Sequence, residues 1–107
     1  MEIVHYVTKD GTDLYQEWFD ALRDNRARIA VLQRIDRASA GNFGDHKPCR
    51  DGVSELRIDY GPGYRVYYFH HGQTLVVLLC GGDKRTQAAD ISSAVTYKAD
   101  FLRRMRE

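Results

Sequence analysis

The chain has 107 residues, of which 43% are hydrophobic and 29% are charged, and its formal net charge is +1. This length is typical of one small domain, so we expect a single domain over residues 1–107. The composition excludes a disordered chain, and the longest apolar run, Leu75–Cys80, is far shorter than the roughly 18 residues of a membrane span.

The residues that most often bind metals and cofactors have no recognisable spacing here. Cys49 and Cys80 are too few for a disulfide framework and lack metal-site spacing, and the four histidines are not spaced as ligands on a helix. Neither a Walker phosphate loop nor a dinucleotide fingerprint is present. We therefore expect no metal and no cofactor. No basic segment followed by an apolar stretch opens the chain, so we expect a cytoplasmic protein with reduced thiols.

The first 41 residues predict one strand and two helices. Residues 1–8 alternate as in a strand, and Leu14, Trp18 and Leu22 recur every fourth residue, as in a helix capped by Thr12. A second helix, capped by Asn25, should end at Gly41. Its predicted apolar face consists of Ile29, Leu32 and Ile35, and its predicted polar face of Arg26, Arg34 and Arg37.

The rest of the chain predicts a loop, three strands and a helix. Residues 41–52 contain three glycines and a proline and should be irregular. Strands are predicted over 53–60, 64–70 and 74–80, and the short turns between them indicate an antiparallel meander. Residues 74–80 are apolar on both faces and should form the central strand. A last helix is predicted over 86–104, which completes an α+β fold of order β-α-α-β-β-β-α with an antiparallel sheet packed against helices.

Charged residues collect near the predicted meander. Glu55 and Arg57 share one face of a strand, and Arg65 lies on the next strand, where neighbouring strands are about 5 Å apart. Arg57 and Arg65 could therefore flank one anionic group. The other candidates are His46 and Lys47, which precede the first strand of the meander, and Lys84 and Arg85, which follow the last. Spacing alone leaves open a second interpretation, in which these groups form ordinary cross-strand salt bridges.

The charge is unevenly distributed along the chain. Residues 1–45 contain six Lys or Arg and eight Asp or Glu, for a net charge of −2, whereas residues 46–107 contain ten and seven, for +3. The second part is therefore the better candidate for contact with a polyanion.

Several blocks of the sequence resemble the RelE/ParE superfamily of toxins from type II toxin–antitoxin systems, in particular its HigB-like branch of addiction module killer proteins. The resemblance extends from Trp18 to Ala94. The blocks that carry it are Gly41–Pro48, Gly52–Ile58, the Gly-Pro-Gly-Tyr-Arg-Val-Tyr run of Gly61–Tyr67, and Leu78–Ile91.

The resemblance implies a RelE-like fold, a cognate antitoxin as partner and a toxin that acts on messenger RNA at the ribosome. The implied activity is that of a metal-independent endoribonuclease, in which a ribose 2′-OH attacks the adjacent phosphate. It further implies Arg65, Arg57, Glu55, His46 and Lys84 as catalytic residues. Lys47 and Arg85 are the implied RNA-binding residues.

Alternatives remain within the same superfamily. Some nuclease relatives carry a cation where Glu55 stands, so either His46 or Glu55 would have to be the general base. ParE-like members poison DNA gyrase by binding, without nuclease chemistry, and an inactive interaction module is a third interpretation. The sequence does not specify the cleavage preference, the antitoxin or the oligomeric state.

Overall fold

The computed structural model describes residues 1–106 and has helices on both faces of a mixed sheet. The predicted α+β fold is confirmed. In chain order the elements are β1 (Glu2–His5), α1 (Leu14–Ala21), α2 (Asn25–Ser39), β2 (His46–Arg50), β3 (Val53–Ile58), β4 (Tyr64–His71), β5 (Leu75–Asp83), a 3-10 turn (Lys84–Thr86) and α3 (Gln87–Met105). No helix among the described residues is long and apolar enough to cross a membrane.

The strand order in the sheet is β1-β5-β4-β3-β2. Strands β3, β4 and β5 form the predicted antiparallel meander. Strand β1 joins the other side of β5 in parallel, with Glu2 opposite Leu75. The middle position belongs to β4, so the prediction that residues 74–80 form the central strand was wrong. Their burial on both faces arises because α1 packs against one face of β5 and α3 against the other.

The segment predicted to be irregular contains an additional strand. Residues His46–Arg50 form β2, which pairs antiparallel with β3 at the edge of the sheet. Pro48 is tolerated there because an edge strand has one side on which no ladder hydrogen bond is required. The register shifts between Pro48 and Arg50. His46 and Lys47 therefore lie on a strand rather than on a loop, and the observed order is β-α-α-β-β-β-β-α.

The two faces of the sheet carry separate hydrophobic clusters. Helices α1 and α2 cover the face that presents Leu56, Val66 and Leu78. Helix α3 covers the face that presents Tyr67 and Phe69, together with other buried residues. Because neighbouring side chains of a strand point to opposite faces, Glu55, Arg57 and Arg65 all lie on the α3 side.

Helix α2 packs through a different face from the predicted one. Ala27, Val31 and Ala38 are fully buried, whereas Ile29 and Leu32 are 54% and 53% exposed. Small side chains bring this part of the helix close to the sheet, which leaves the larger aliphatic residues outside. The prediction that placed Ile29 and Leu32 on the core side was therefore wrong.

Arg34 also points inward, in contrast to its predicted position on the polar face of α2. Its Nη2 donates to the carbonyls of Phe43 at 2.8 Å and Asp45 at 3.0 Å, and its Nη1 donates to the carbonyl of Arg57. Burial lowers the pKa of the Arg34 guanidinium. This side chain ties α2 to the segment that leads into β2.

The two N-terminal caps lie one residue away from the predicted ones. Asp13 Oδ1 accepts from the backbone N–H of Gln16 at 3.0 Å, and Asp24 Oδ1 accepts from that of Arg26 at 2.9 Å. Aspartate is a stronger cap than threonine and adds a favourable charge at the positive end of the helix. The predicted caps, Thr12 and Asn25, do not have this role.

Two glycines near the end of β5 allow helices to approach the sheet from both sides. The register of β4 and β5 shifts after Tyr67, where β5 holds one extra residue. Beyond this bulge, a methyl group on Gly81 would overlap the Trp18 indole of α1, and one on Gly82 would overlap the Asp90 carboxylate of α3. The absence of a side chain at both positions therefore fixes where α1 and the start of α3 sit.

We predict that Gly81→Ala destabilises the protein by about 1–3 kcal/mol, because the added methyl group overpacks against a rigid ring. The measurement is the free energy of unfolding in urea. In a Trp18→Leu background the same substitution should cost clearly less, because the clashing ring is gone. An equal loss in both backgrounds would show that the Trp18 contact is not the reason for the glycine.

Candidate functional site

An open groove of about 520 Å³ lies beside the ends of β3 and β4 that are nearest to the start of α3. Four of its lining residues are cationic: Lys47, Arg57, Arg65 and Lys84. The other lining residues are Asp45, Ile58, Asp59, Gly63 and Gln87. The groove therefore brings together side chains from β2, β3, β4 and the beginning of the last helical segment.

Arg57 and Arg65 occupy directly opposed positions of the antiparallel β3–β4 pair. The proximity predicted from the alternation of the two strands is thus confirmed. Arg57 Nε lies 3.3 Å from Asp45 Oδ1, and the Arg57 side chain is 37% exposed. Such a half-exposed ion pair contributes only about 0–1 kcal/mol, so Arg57 can exchange its partner at low cost.

A buried carboxylate, that of Glu55, holds the Arg65 side chain in place. Arg65 Nε lies 2.7 Å from Glu55 Oε2, and the two side chains are 13% and 1% exposed, respectively. The N–H does not point along this line, so the contact is a close ion pair rather than an aligned hydrogen bond. Arg65 Nη1 donates to the carbonyls of Gly63 at 3.2 Å and Tyr64 at 3.4 Å. Within residues 1–106, Nη2 is not used in any of these contacts.

The other oxygen of Glu55 is also occupied. Oε1 accepts from Gln87 Nε2 at 2.9 Å and from Cys49 Sγ at 3.3 Å. Burial, followed by this hydrogen bond, raises the pKa of the Cys49 thiol to about 11. Cys49 is consequently a neutral donor near pH 7 and not a nucleophile. The Glu55 carboxylate is thus enclosed by groups from β2, β4 and α3.

Tyr67 lies opposite Glu55 on β4 and is fully buried. Among the described residues its hydroxyl has no hydrogen-bond partner. Burial raises the pKa of this phenol, and the negative charges of Glu55 and Asp90 raise it further. Tyr67 therefore remains a neutral ring that fills the space beneath the site.

Lys47 and Lys84 are the cations of the groove whose side chains are least restrained by contacts. Both are exposed, and among residues 1–106 neither ammonium group forms an ion pair. Asp59 is the comparable carboxylate, because it is exposed on the same groove and pairs with no cation of the described part of the chain. These three side chains can meet a ligand without breaking an existing contact.

Three predicted site residues do not line the groove: Glu55, which is buried against Arg65, and also His46 and Arg85. His46 pairs with Leu56 in the β2–β3 register, which directs it to the α2 side of the sheet, where it contacts Phe43 and the carbonyl of Gly44. Arg85 is 82% exposed and forms an ion pair with Asp83. Its neighbour Lys84 occupies the groove instead.

Three polar groove residues were not among the sequence-based candidates: Asp45, Asp59 and Gln87. Asp59 continues the alternation that begins with Glu55 and Arg57, so strand periodicity could have identified it. Gln87 follows Lys84 by one helical turn, but its contact with Glu55 depends on how α3 packs. Among the described residues, no group of three His, Cys, Asp or Glu side chains is arranged to hold a metal ion.

The fold and the groove define a class, namely small α+β proteins with a basic site at one end of a largely antiparallel sheet. The model of the phage-derived Gp49-like protein family (DUF891) matches residues 17–101. The chain therefore belongs to the Gp49-like family, a RelE-like family associated with toxin–antitoxin systems. A protein of Haemophilus influenzae (strain ATCC 51907 / DSM 11121 / KW20 / Rd) described as uncharacterized is 50% identical over 80 residues, which are 75% of this chain and 81% of that protein.

We predict strong energetic coupling between Glu55 and Arg65. Arg65→Met leaves a buried carboxylate without its cation, so a loss of about 3–5 kcal/mol in the free energy of unfolding is expected. Replacing both residues by neutral ones, as in Glu55→Gln with Arg65→Met, should cost less than the two single changes together. Urea unfolding of the four proteins provides the test. Additive losses would mean that the pair is not an interacting unit.

Proposed function

We propose that this protein is the toxin of a type II toxin–antitoxin system, of the HigB-like kind, and that it cleaves messenger RNA on the ribosome without a metal ion. The observation that carries the proposal is the groove in which Arg57 and Arg65 face each other across two strands, flanked by Lys47 and Lys84. Four cations around one open groove match the phosphates of an RNA strand. Membership in a toxin-associated family supports the same assignment.

Glu55 acts in this proposal by positioning Arg65. It is 1% exposed and already engaged by three neighbours, so it cannot readily meet a ribose hydroxyl. Because Glu55 holds Arg65 through Nε, the Nη2 group of Arg65 remains available for a phosphate oxygen. An arginine fixed in advance stabilises developing charge without reorganisation during the reaction.

The proposed reaction is an in-line transfer within the RNA strand. The 2′ oxygen forms a bond to the adjacent phosphorus, and the bond from phosphorus to the 5′ oxygen breaks. Asp59, the unpaired carboxylate of the groove, accepts the 2′ proton. Arg57 and Arg65 neutralise the charge on the phosphorane, and Lys84 donates a proton to the leaving oxygen. The products are a 2′,3′-cyclic phosphate and a 5′-hydroxyl.

We predict that expression of the chain alone arrests bacterial growth and produces messenger-RNA fragments with those two kinds of ends. The measurement is end mapping with ligation methods that distinguish 5′-hydroxyl from 5′-phosphate, in cells with and without the antitoxin encoded beside the toxin. Growth arrest with intact messages and trapped DNA cleavage complexes would instead support gyrase poisoning. Normal growth at verified expression would contradict both toxin activities.

We predict that Lys84→Ala lowers the cleavage rate by about 10²-fold, because one positioned proton donor is lost. Lys84 is exposed and lacks an ion-pair partner among the described residues, so the thermal unfolding midpoint should not change. Arg103→Ala is the matched control, since it removes one exposed cation far along α3, where Arg103 is 69% exposed and pairs with Asp100. If both variants lose activity equally, net charge rather than the groove determines the rate.

A further inference from the structure

A second pocket adjoins the cationic groove on the side of β2. It has a volume of about 410 Å³ and lies between β2 and the first turns of α3. Lys47 and Gln87 line both the groove and this pocket, so the two sites share a wall. The volume is within the range of about 300–1,000 Å³ that is typical of small-ligand sites. The proposed reaction gives this pocket no role.

The walls of the pocket combine apolar residues with a guanidinium group. Pro48 from β2 and Ala88 and Ile91 from α3 are its apolar lining residues. Arg50 reaches across from β2, and its Nη2 donates to the Ser92 hydroxyl at 3.1 Å. Unpaired RNA bases commonly stack on arginine guanidinium groups.

Gln87 supplies an amide to the wall of the pocket. Its Nε2 donates to Glu55 with one of its two N–H groups, so among residues 1–106 the second N–H and Oε1 remain for a ligand. A carbonyl oxygen accepts from the exocyclic amino groups of adenine, cytosine and guanine, and also from the N3–H of uracil. The amide can therefore form hydrogen bonds with the edge of any of the four bases.

We propose that this pocket binds the nucleobase of a nucleotide next to the phosphate that is cleaved. The proposal rests on the proposed function, because the shared wall places the base beside a phosphate in the groove. Sequence preference would then come from the β2–α3 pocket, and the groove would bind the backbone without regard to sequence.

The test measures RNA binding rather than cleavage, so its outcome does not depend on catalysis. The probe is a single-stranded RNA whose riboses are 2′-O-methylated and which therefore cannot react by 2′-OH attack. One abasic nucleotide is moved along this RNA. In the wild-type protein, one position should weaken binding by about 5- to 150-fold, the range for loss of one stacked base.

Ala88→Leu fills the pocket from an exposed helical position and should abolish this positional effect. Ala89→Leu is the matched control, because Ala89 is the next residue, is also exposed and does not line the pocket. Positional effects that persist in Ala88→Leu, or no positional effect in the wild type, would overturn the proposal. Unchanged RNA binding by Ala88→Leu with loss of neutralisation by the antitoxin would also overturn it, since the pocket would then hold a peptide side chain. Cleavage of the unmethylated RNA bound in ribosomes separately tests the proposed function.

Discussion

The buried carboxylate of Glu55 is the point at which three parts of the molecule meet. It accepts hydrogen bonds from Cys49 on β2 and Gln87 on α3, and it forms an ion pair with Arg65 on β4. A charge removed from water is tolerated only where surrounding groups compensate it, so each of these neighbours is required to be in place. The geometry of the groove is thus fixed by the requirements of one side chain that itself has almost no contact with solvent.

The backbone of β5 determines whether α3 lies close enough to the sheet to bring its residues to the site. The bulge after Tyr67 in the β4–β5 ladder changes the direction of the side chains that follow, so that Gly82 meets Asp90 of α3. Burial raises the pKa of the Asp90 carboxyl, while its hydrogen bond with Thr86 acts in the opposite direction. With α3 seated this closely, Gln87 reaches Glu55, and Lys84 lies over the groove. Bulges often occur beside functional sites for this reason, because they redirect neighbouring residues without disrupting the sheet.

The sequence predicts those features that follow from local periodicity. Alternation along two consecutive strands is sufficient to place Arg57 opposite Arg65, because a short turn fixes the register. Local periodicity does not reveal β2, because Pro48 and the surrounding glycines argue against a strand. This strand is possible only because it lies at the edge of the sheet. Because β2 was not predicted, the side of the sheet to which His46 points could not be predicted either. The packing of α2 was mispredicted because its buried residues, Ala27, Val31 and Ala38, are smaller than the exposed Ile29 and Leu32. Small side chains let the helix lie close to the sheet, and this advantage depends on the assembled core rather than on any local sequence pattern.

The parallel pairing of β1 with β5 has a consequence for how the molecule is made. Glu2 to His5 pair with Leu75 to Leu78, so the first strand has no partner until most of the chain has been synthesised. Pairings between distant segments require a large loop to close before they contribute any stability, which slows folding. Gln87, which completes the shell around Glu55, is synthesised later still. In a nascent chain, β1 therefore pairs and the shell around Glu55 closes only after residues 75–87 have been synthesised, and translation products that stop before these residues lack both features.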